Sequence, residues 1–179
     1  LMAPKNKWEF SDMIKFAVNF SHPIALRYPR GEAFDQLEEF RAPVEWGKSE
    51  LLYEHGEVVL LAYGSMVKTA LQVRESLRLK GQECAIVNLR FAKPLDTRML
   101  REAGEKYKLM VTMEENVLSG GIGEAVSEYL DRAGISVPVL HIAVEDEFIP
   151  HGNVELLKKQ VGLDADSIVE KIRKQMEQR

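Results

Sequence analysis

The stretch LMVTMEENVLSGGIGEAVSEYL, residues 109–130, decides the fold. It opens with the short apolar run LMVTM, whose length and β-branched members predict a buried strand. Gly120, Gly121 and Gly123 follow the run. After the first two glycines, apolar residues recur at helical spacing: Ile122, Ala125, Val126, Tyr129 and Leu130. A strand, a glycine turn and a helix in this order are the basic step of a parallel α/β sheet.

The glycine turn has two interpretations. Free backbone N–H groups at the start of the helix could hold an anion. The turn lacks the longer glycine spacing and the lysine of a phosphate-binding loop, however, and the carboxylates of Glu114 and Glu115 would repel a phosphate placed nearby. We therefore interpret Glu114, Glu115, Asn116 and the three glycines as structural and interface residues. Because Glu114 and Glu115 are adjacent, they would point in opposite directions along a strand and make a poor acid/base pair.

The same alternation is predicted on both sides of this stretch. Further strands are predicted at residues 46–53, 58–63, 84–89 and 137–143. Helices are predicted to begin after the N-cap residues Ser65, Asp96, Asn153 and Asp164. Because the connections are short, we expect an α/β fold with a mostly parallel sheet and helices on both faces.

The first part of the chain holds one predicted helix and one predicted strand. The helix spans residues 7–20, with Asn6 and Glu9 as a capping box, and the strand spans residues 23–28. These elements are too few to bury a core, so we expect the chain to be the C-terminal part of a longer polypeptide. Residues 35–43 are acidic and lack a strong period, which is typical of a linker.

Composition excludes several classes of protein. The net charge of the 179 residues is -4, which argues against nucleic acid and against an anionic membrane surface as partners. No apolar run approaches the roughly 20 residues that a membrane helix needs. Cys84 is the only cysteine and lies in an apolar run, which predicts a buried side chain and suits a reducing cytoplasm. The four histidines have no metal-binding spacing, so no metal site is expected: His22, His55, His141 and His151.

The segment ALRYPRG, residues 25–31, is the strongest candidate binding site. Two arginines, Arg27 and Arg30, flank Tyr28 and Pro29 at the predicted end of a strand. Ligands of open α/β sheets lie outside the carboxyl ends of strands, and a guanidinium there can bind a phosphate through two parallel hydrogen bonds. The alternative is a surface arginine that is paired with a nearby carboxylate, for instance Glu32 or Asp35.

Seven segments together resemble the 1-deoxy-D-xylulose-5-phosphate synthases, a family of transketolase-like enzymes. They cover nearly the whole chain in one order: MAPK at 2–5, ALRYPRG at 25–31, YGSMV at 63–67, NLRFAKPLD at 88–96, VTMEEN with SGGIG at 111–123, FIPHG at 148–152 and GLDADSI at 162–168. The resemblance is to the C-terminal part of these enzymes. It implies that residues 1–34 are the last helix and strand of a pyrimidine-binding domain. Residues 44–179 would form a three-layer transketolase C-terminal domain with one antiparallel strand.

The resemblance also implies an activity. The family condenses pyruvate with glyceraldehyde 3-phosphate, with loss of carbon dioxide, to make a precursor of isoprenoids, thiamine and pyridoxal. Its cofactors are thiamine diphosphate and Mg²⁺. Arg30 matches the arginine that binds the phosphate of the acceptor aldehyde, and Arg27 and Tyr28 match supporting positions.

The family's remaining functional residues have no counterpart here. The diphosphate-binding domain, the glutamate that activates the cofactor and the substrate histidines would all lie upstream of this chain. The resemblance therefore implies a chain that binds no cofactor and is inactive alone. Its partners would be the N-terminal thiamine-binding domains of the same polypeptide and a second copy in a homodimer. The alternative is a free-standing interaction or regulatory module with the same fold.

Overall fold

One mixed sheet forms the centre of the molecule. The computed structural model describes residues 1–178. Its strands are β1 (Glu50–Tyr53), β2 (Val58–Ala62), β3 (Cys84–Asn88), β4 (Leu109–Val117) and β5 (Val139–Val144). They lie in the order β1-β3-β2-β4-β5, with β1 antiparallel to β3 and every other pairing parallel. The predicted α/β fold with a mostly parallel, five-stranded sheet is confirmed.

The helices complete a three-layer arrangement. They are α1 (Lys7–Val18), α2 (Met66–Arg78), α3 (Thr97–Lys106), α4 (Ile122–Arg132), α5 (Val154–Gln160) and α6 (Ala165–Glu177). Helices α2 and α6 pack together on one face of the sheet, and α3 and α4 on the other. Of the helices within residues 1–178, none combines the length and the apolar character needed to span a membrane.

Strand β2 shows how the sequence builds two cores from one strand. All five of its side chains are buried. Because successive side chains point to opposite faces, Val58, Leu60 and Ala62 belong to the core under α2 and α6, whereas Val59 and Leu61 belong to the core under α3 and α4. Full burial of each Val or Leu side chain contributes about 1.5–3 kcal/mol. This double burial explains the continuous apolar run.

The predicted strand at residues 23–28 is wrong. Within residues 1–178, this segment pairs with other backbone only through a single bridge between Leu26 and Met2. The N–H of Met2 donates to the carbonyl of Ala25 at 3.0 Å, and the N–H of Arg27 donates to the carbonyl of Met2 at 2.9 Å. A ladder does not extend further because, in the part of the chain that the structure describes, the backbone of Met2 alone is hydrogen-bonded to the backbone of this segment, and Pro23 and Pro29 carry no N–H.

Several element boundaries and one cap differ from the sequence prediction. Strand β1 begins at Glu50 and not at residue 46, and β5 spans Val139–Val144 and not residues 137–143. Strand β4 continues past Met113 to Val117, because Val117 pairs with Val144 of β5 after a shift in register. Helix α1 ends at Val18, two residues early. Ser65 precedes α2 as predicted, but its hydroxyl makes no capping hydrogen bond, because it donates to Glu115 instead.

The predicted N-caps of the other helices are present, but the capping box of α1 is incomplete, because the Glu9 carboxylate accepts from the N–H of Lys5 and not from that of Asn6. The side chain of Asn6 accepts from the N–H of Glu9, and that of Asp96 accepts from the N–H of Met99. Asn153 and Asp164 cap α5 and α6 in the same way. The chain therefore signals the starts of its helices locally, through side-chain oxygens that satisfy backbone donors.

Candidate functional site

A small cleft of about 60 Å³ lies at the carboxyl ends of β2 and β4. Its walls come from the N-terminus, the arginine-containing segment, the turn after β2 and the end of β4: Ala3, Pro4, Arg27, Tyr28, Pro29, Gly64, Ser65 and Glu115. This is the edge of an open α/β sheet where ligands are bound. The structure thus brings Arg27, Tyr28 and Glu115 together, although Glu115 is distant from the other two in sequence.

Glu115 is the polar centre of the cleft. One carboxylate oxygen accepts a hydrogen bond from the Ser65 hydroxyl at 2.5 Å, and the other pairs with the Lys158 ammonium at 2.5 Å. Burial raises the pKa of Glu115, but the hydrogen bonds from Lys158 and Ser65 outweigh it and hold the pKa below its ordinary value. Glu115 is therefore ionised at neutral pH.

The two arginines of the segment have different surroundings. The Arg27 guanidinium lies 3.5 Å from the backbone carbonyl of Glu115. Arg30 is exposed, and within residues 1–178 it makes no hydrogen bond or ion pair, neither with Glu32 nor with Asp35. Arg30 does not line the cleft itself but follows Pro29, which does.

Tyr28 is mostly exposed. The residue is 62% accessible, and its ring packs against Phe10 of α1 with a centroid distance of 5.0 Å. This contact holds the arginine-containing segment against α1.

Glu114 points away from Glu115 and is buried. Its carboxylate accepts hydrogen bonds from the N–H groups of Ile122 at 3.0 Å and Gly123 at 2.8 Å. Burial raises the pKa of Glu114 above its ordinary value despite these two bonds. The anion site at the start of α4 is therefore filled by the chain's own carboxylate, which supports the structural interpretation of the glycine turn.

The glycines of this turn differ in what surrounds them. A Cβ on Gly121 would lie 2.5 Å from the carbonyl oxygen of Val117, and one on Gly123 would lie 2.7 Å from His141 Nδ1. Gly120 has a positive φ of 72°, and a Cβ there would meet open space. Asn116 is exposed at the end of β4. Close packing therefore explains Gly121 and Gly123.

His141 and Cys84 have structural surroundings. The Nδ1 atom of His141 lies 2.8 Å from the Thr112 hydroxyl, and its Nε2 atom lies 3.1 Å from the Ser127 hydroxyl. Burial lowers the pKa of His141 and raises the pKa of Cys84 to about 12, so the ring is neutral and the thiol is not a nucleophile. Within residues 1–178, no group of three or more His, Cys, Asp or Glu side chains is arranged to hold a metal ion.

Sequence reasoning missed a cluster of buried charges beside this site. The buried charge cluster consists of Lys5, Glu9, Glu50 and Arg90, with Asn88 bound to both carboxylates. Each of the four charged side chains is at most 5% exposed. The available signal was Arg90, a single charge inside the apolar run CAIVNLRFA. A charge in such a run has to be paired if it is buried.

The comparison with known protein families identifies the family of this fold. The family model "Transketolase, C-terminal domain" matches residues 47–168. The chain belongs to this family. The matched residues include the whole sheet and helices α2 to α5.

Curated relatives extend the match beyond the domain. The 1-deoxy-D-xylulose-5-phosphate synthase of Lachnoclostridium phytofermentans is 46% identical over 98% of this chain and 28% of its own length. That of Aquifex aeolicus is 39% identical over 96% of this chain and 27% of its own length. The resemblance to the synthases that the sequence motifs indicate is confirmed. The chain spans just over a quarter of these relatives.

Solved structures show the same fold. A structure described as "Split gene transketolase, inactive beta4 tetramer" has a TM-score of 0.89 and 26% identity to this chain. The match covers 97% of this chain and 56% of that one. The transketolase of Campylobacter jejuni has a TM-score of 0.64 at 16% identity, over 97% of this chain and 26% of its own. This second likeness concerns the fold alone.

Proposed function

We propose that this chain is the C-terminal part of a 1-deoxy-D-xylulose-5-phosphate synthase. The whole enzyme is a thiamine diphosphate-dependent transferase that condenses pyruvate with glyceraldehyde 3-phosphate and releases carbon dioxide. The proposal is supported by relatives of that name that match 96–98% of this chain at 39–46% identity. It divides the chain into a pyrimidine-domain remnant at residues 1–34, a linker at residues 35–43 and a transketolase C-terminal domain at residues 44–179.

Arg30 binds the phosphate of the aldehyde acceptor. The observation that carries this role is that Arg30 is exposed and unpaired within residues 1–178, beside a cleft at the carboxyl edge of the sheet. Its planar guanidinium is therefore free to present two parallel N–H donors to a phosphate. Arg27 and Tyr28 support this segment through Glu115 and Phe10 respectively.

The chain's own residues do not fit Mg²⁺ or the cofactor diphosphate. Residues 1–178 hold no cluster of metal ligands, and the start of α4 is already filled by Glu114. We therefore assign thiamine diphosphate and Mg²⁺ to the N-terminal domains of the same polypeptide, and no step of the reaction to this chain. The chain alone is inactive, and its part in the enzyme, apart from the contact of Arg30 with the acceptor phosphate, is interdomain packing and homodimer formation in the cytoplasm.

Kinetics of the full-length synthase test the role of Arg30. The Arg30→Ala variant should raise the KM for glyceraldehyde 3-phosphate by about tenfold or more, since a charge-assisted pair is lost, and leave the KM for pyruvate nearly unchanged. Arg30→Lys should recover part of the loss. Arg101→Ala, which removes another exposed arginine on α3, is the matched control. An equal rise in both KM values would contradict the role.

A second candidate is a separately encoded subunit. The description "split gene transketolase" of a structure with a TM-score of 0.89 favours it. In that case a different chain would supply the thiamine diphosphate site. The coding sequence upstream of Leu1 distinguishes the two: an in-frame thiamine-binding domain supports the proposed synthase, and a start signal there supports the separate subunit or module.

A further inference from the structure

The buried charge cluster joins parts of the chain that are far apart in sequence. Lys5 and Glu9 come from the N-terminal segment and α1, Glu50 begins β1, and Arg90 follows β3. The Lys5 ammonium lies 3.0 Å from Glu9 and 2.6 Å from Glu50. The Arg90 guanidinium lies 2.7 Å from Glu9 and 3.1 Å from Glu50. The four groups thus form a closed square of two cations and two anions.

Arg90 has further bonds that fix the start of the C-terminal unit. Its guanidinium donates to the carbonyl oxygens of Pro43 at 3.0 Å and Ala42 at 2.9 Å. The N–H of Ala42 in turn donates to Glu50 at 3.1 Å. The ion pairs and these carbonyl bonds together engage all three nitrogens of the guanidinium, and the cluster itself has no net charge. A buried charge that loses its partner is strongly destabilising, so these contacts are made together or broken together.

The backbone of Arg90 connects this cluster to the segment that carries Arg30. The carbonyl of Arg90 accepts from the N–H of Ala3 at 2.9 Å. One residue earlier, Met2 exchanges backbone hydrogen bonds with Ala25 and Arg27. Met2 is also buried in a small core with Met13 and Phe91. Because the segment at residues 23–28 forms no ladder of its own, its backbone is attached to the sheet through Met2, which is held by this bond of Ala3, by a bridge to Phe91 and by the bonds of Leu1 to Ala92 and Lys93.

We propose that Arg90 is a positioning residue for Arg30. By closing the buried charge cluster, Arg90 fixes Met2 and Ala3 against the end of β3, and Met2 fixes the register of Arg27, three residues before Arg30. The cluster is thus a lock between the N-terminal segment and the transketolase C-terminal domain. The kinetic part of this proposal rests on the proposed function of Arg30, whereas the lock itself does not.

Amide hydrogen exchange of the 179-residue chain tests the lock without any substrate. Arg90→Met, and the milder Arg90→Lys if the first variant fails to fold, should speed exchange at Met2, Ala3 and Arg27 by about tenfold or more, with much smaller changes in β2 and β4. Arg98→Lys, which alters an exposed arginine on α3, is the control. Unchanged exchange at these three amides in Arg90→Lys would overturn the proposal.

A paired substitution separates charge balance from packing. Lys5→Met alone leaves two carboxylates against one guanidinium, so it should open the lock. The double variant Lys5→Met/Glu50→Gln restores a neutral cluster. Although it contains one more substitution, its amide exchange at Met2, Ala3 and Arg27 should be slower than that of Lys5→Met. If the double variant exchanges faster than Lys5→Met, charge balance does not hold the segment and the proposal fails.

Steady-state kinetics of the full-length synthase test the positioning role. Arg90→Lys should raise the KM for glyceraldehyde 3-phosphate by about three- to tenfold, with little change in the KM for pyruvate. Added to Arg30→Ala, it should cause no further rise, because it acts through Arg30. Effects that multiply would overturn the positioning role. If Arg30→Ala itself leaves the aldehyde KM unchanged, the proposed function fails, and hydrogen exchange still decides on the lock.

Discussion

The carboxylate of Glu114 accepts a hydrogen bond from the backbone N–H of Gly123 at 2.8 Å, and so the last buried carboxylate of β4 caps the helix that follows it. A second bond, from Ile122 at 3.0 Å, completes the cap. Gly121, the N-cap residue of α4, has no side chain to do this. The strand, the turn and the helix are therefore joined by a side chain as well as by the backbone.

Replacement of Glu114 should destabilise the protein. Glu114→Gln keeps the shape but turns an N–H₂ group towards one of the two backbone donors, which then loses its acceptor. We expect the free energy of unfolding to fall by about 1–3 kcal/mol, as measured by urea denaturation. Glu128→Gln, on the exposed side of the same helix, should change it by less than about 0.5 kcal/mol. A stability equal to that of the wild type would show that the cap contributes nothing.

The two adjacent carboxylates should affect stability with opposite pH dependence. The pKa of Glu114 is raised in the folded state, so its favourable contribution is present below the ordinary value of 4.5 and decreases as the pH rises through the folded value. The pKa of Glu115 is lowered, so its contribution is present above 4.5 and is lost as the pH falls through the folded value.

Unfolding free energies at several pH values between about 3 and 7 measure this difference. The gap between wild type and Glu114→Gln should narrow as the pH rises, whereas the gap between wild type and Glu115→Gln should widen. Parallel pH profiles for the two variants would contradict the opposite assignments.

Gly121 and Gly120 should respond differently to an added methyl group. Gly121→Ala places a Cβ 2.5 Å from the carbonyl oxygen of Val117 and 2.7 Å from the Glu114 carboxylate, so the backbone has to move. We expect a loss of about 1–3 kcal/mol and a weakened cap. Gly120→Ala meets no atom and carries only the cost of its positive φ, about 1–2 kcal/mol. Thermal unfolding and near-ultraviolet circular dichroism compare them. If the near-ultraviolet spectrum changes in Gly120→Ala but not in Gly121→Ala, this explanation is wrong.

Asp96 should matter more than an ordinary helix cap. One of its carboxylate oxygens accepts from the N–H of Met99 at 3.1 Å, and the other accepts from the N–H of Ser49 at 2.8 Å. Asp96→Ala should cost about 2 kcal/mol or more, because two partly buried donors lose their partner. Asp96→Asn keeps one acceptor and should cost less. Chemical denaturation measures both, with the exposed Asp131→Ala as control. If Asp96→Ala and Asp96→Asn lower the free energy of unfolding equally, Asp96 does not act through two separate hydrogen bonds.

Local signals were enough to predict most of the fold. The run from Val58 to Ala62 and the oxygens of Asp96, Asn153 and Asp164 act within a few residues, so their sequence neighbours reveal them. The segment at residues 23–28 was misread, because its apolar residues pack around Met2 and Phe91 and do not pair with a strand. A propensity for extended structure cannot indicate whether a partner strand exists.

The candidate site was only partly visible in the sequence. The motif around Arg30 could be recognised from its two arginines, since both lie within one short segment of sequence. The partners of Glu115 could not be predicted, because Ser65 and Lys158 reach it from distant parts of the chain across the sheet edge. The buried charge cluster was missed for the same reason: Lys5 and Arg90 meet only after the N-terminal segment has docked.

The closed square formed by Lys5, Glu9, Glu50 and Arg90 has an evolutionary consequence. The four buried charges sum to zero, so replacing any one of these residues by an uncharged one leaves an unbalanced charge in the interior. Natural variants should therefore retain all four residues or exchange a cation and an anion together for uncharged ones. Covariation at these positions would indicate that selection maintains the attachment of the N-terminal segment to the transketolase C-terminal domain.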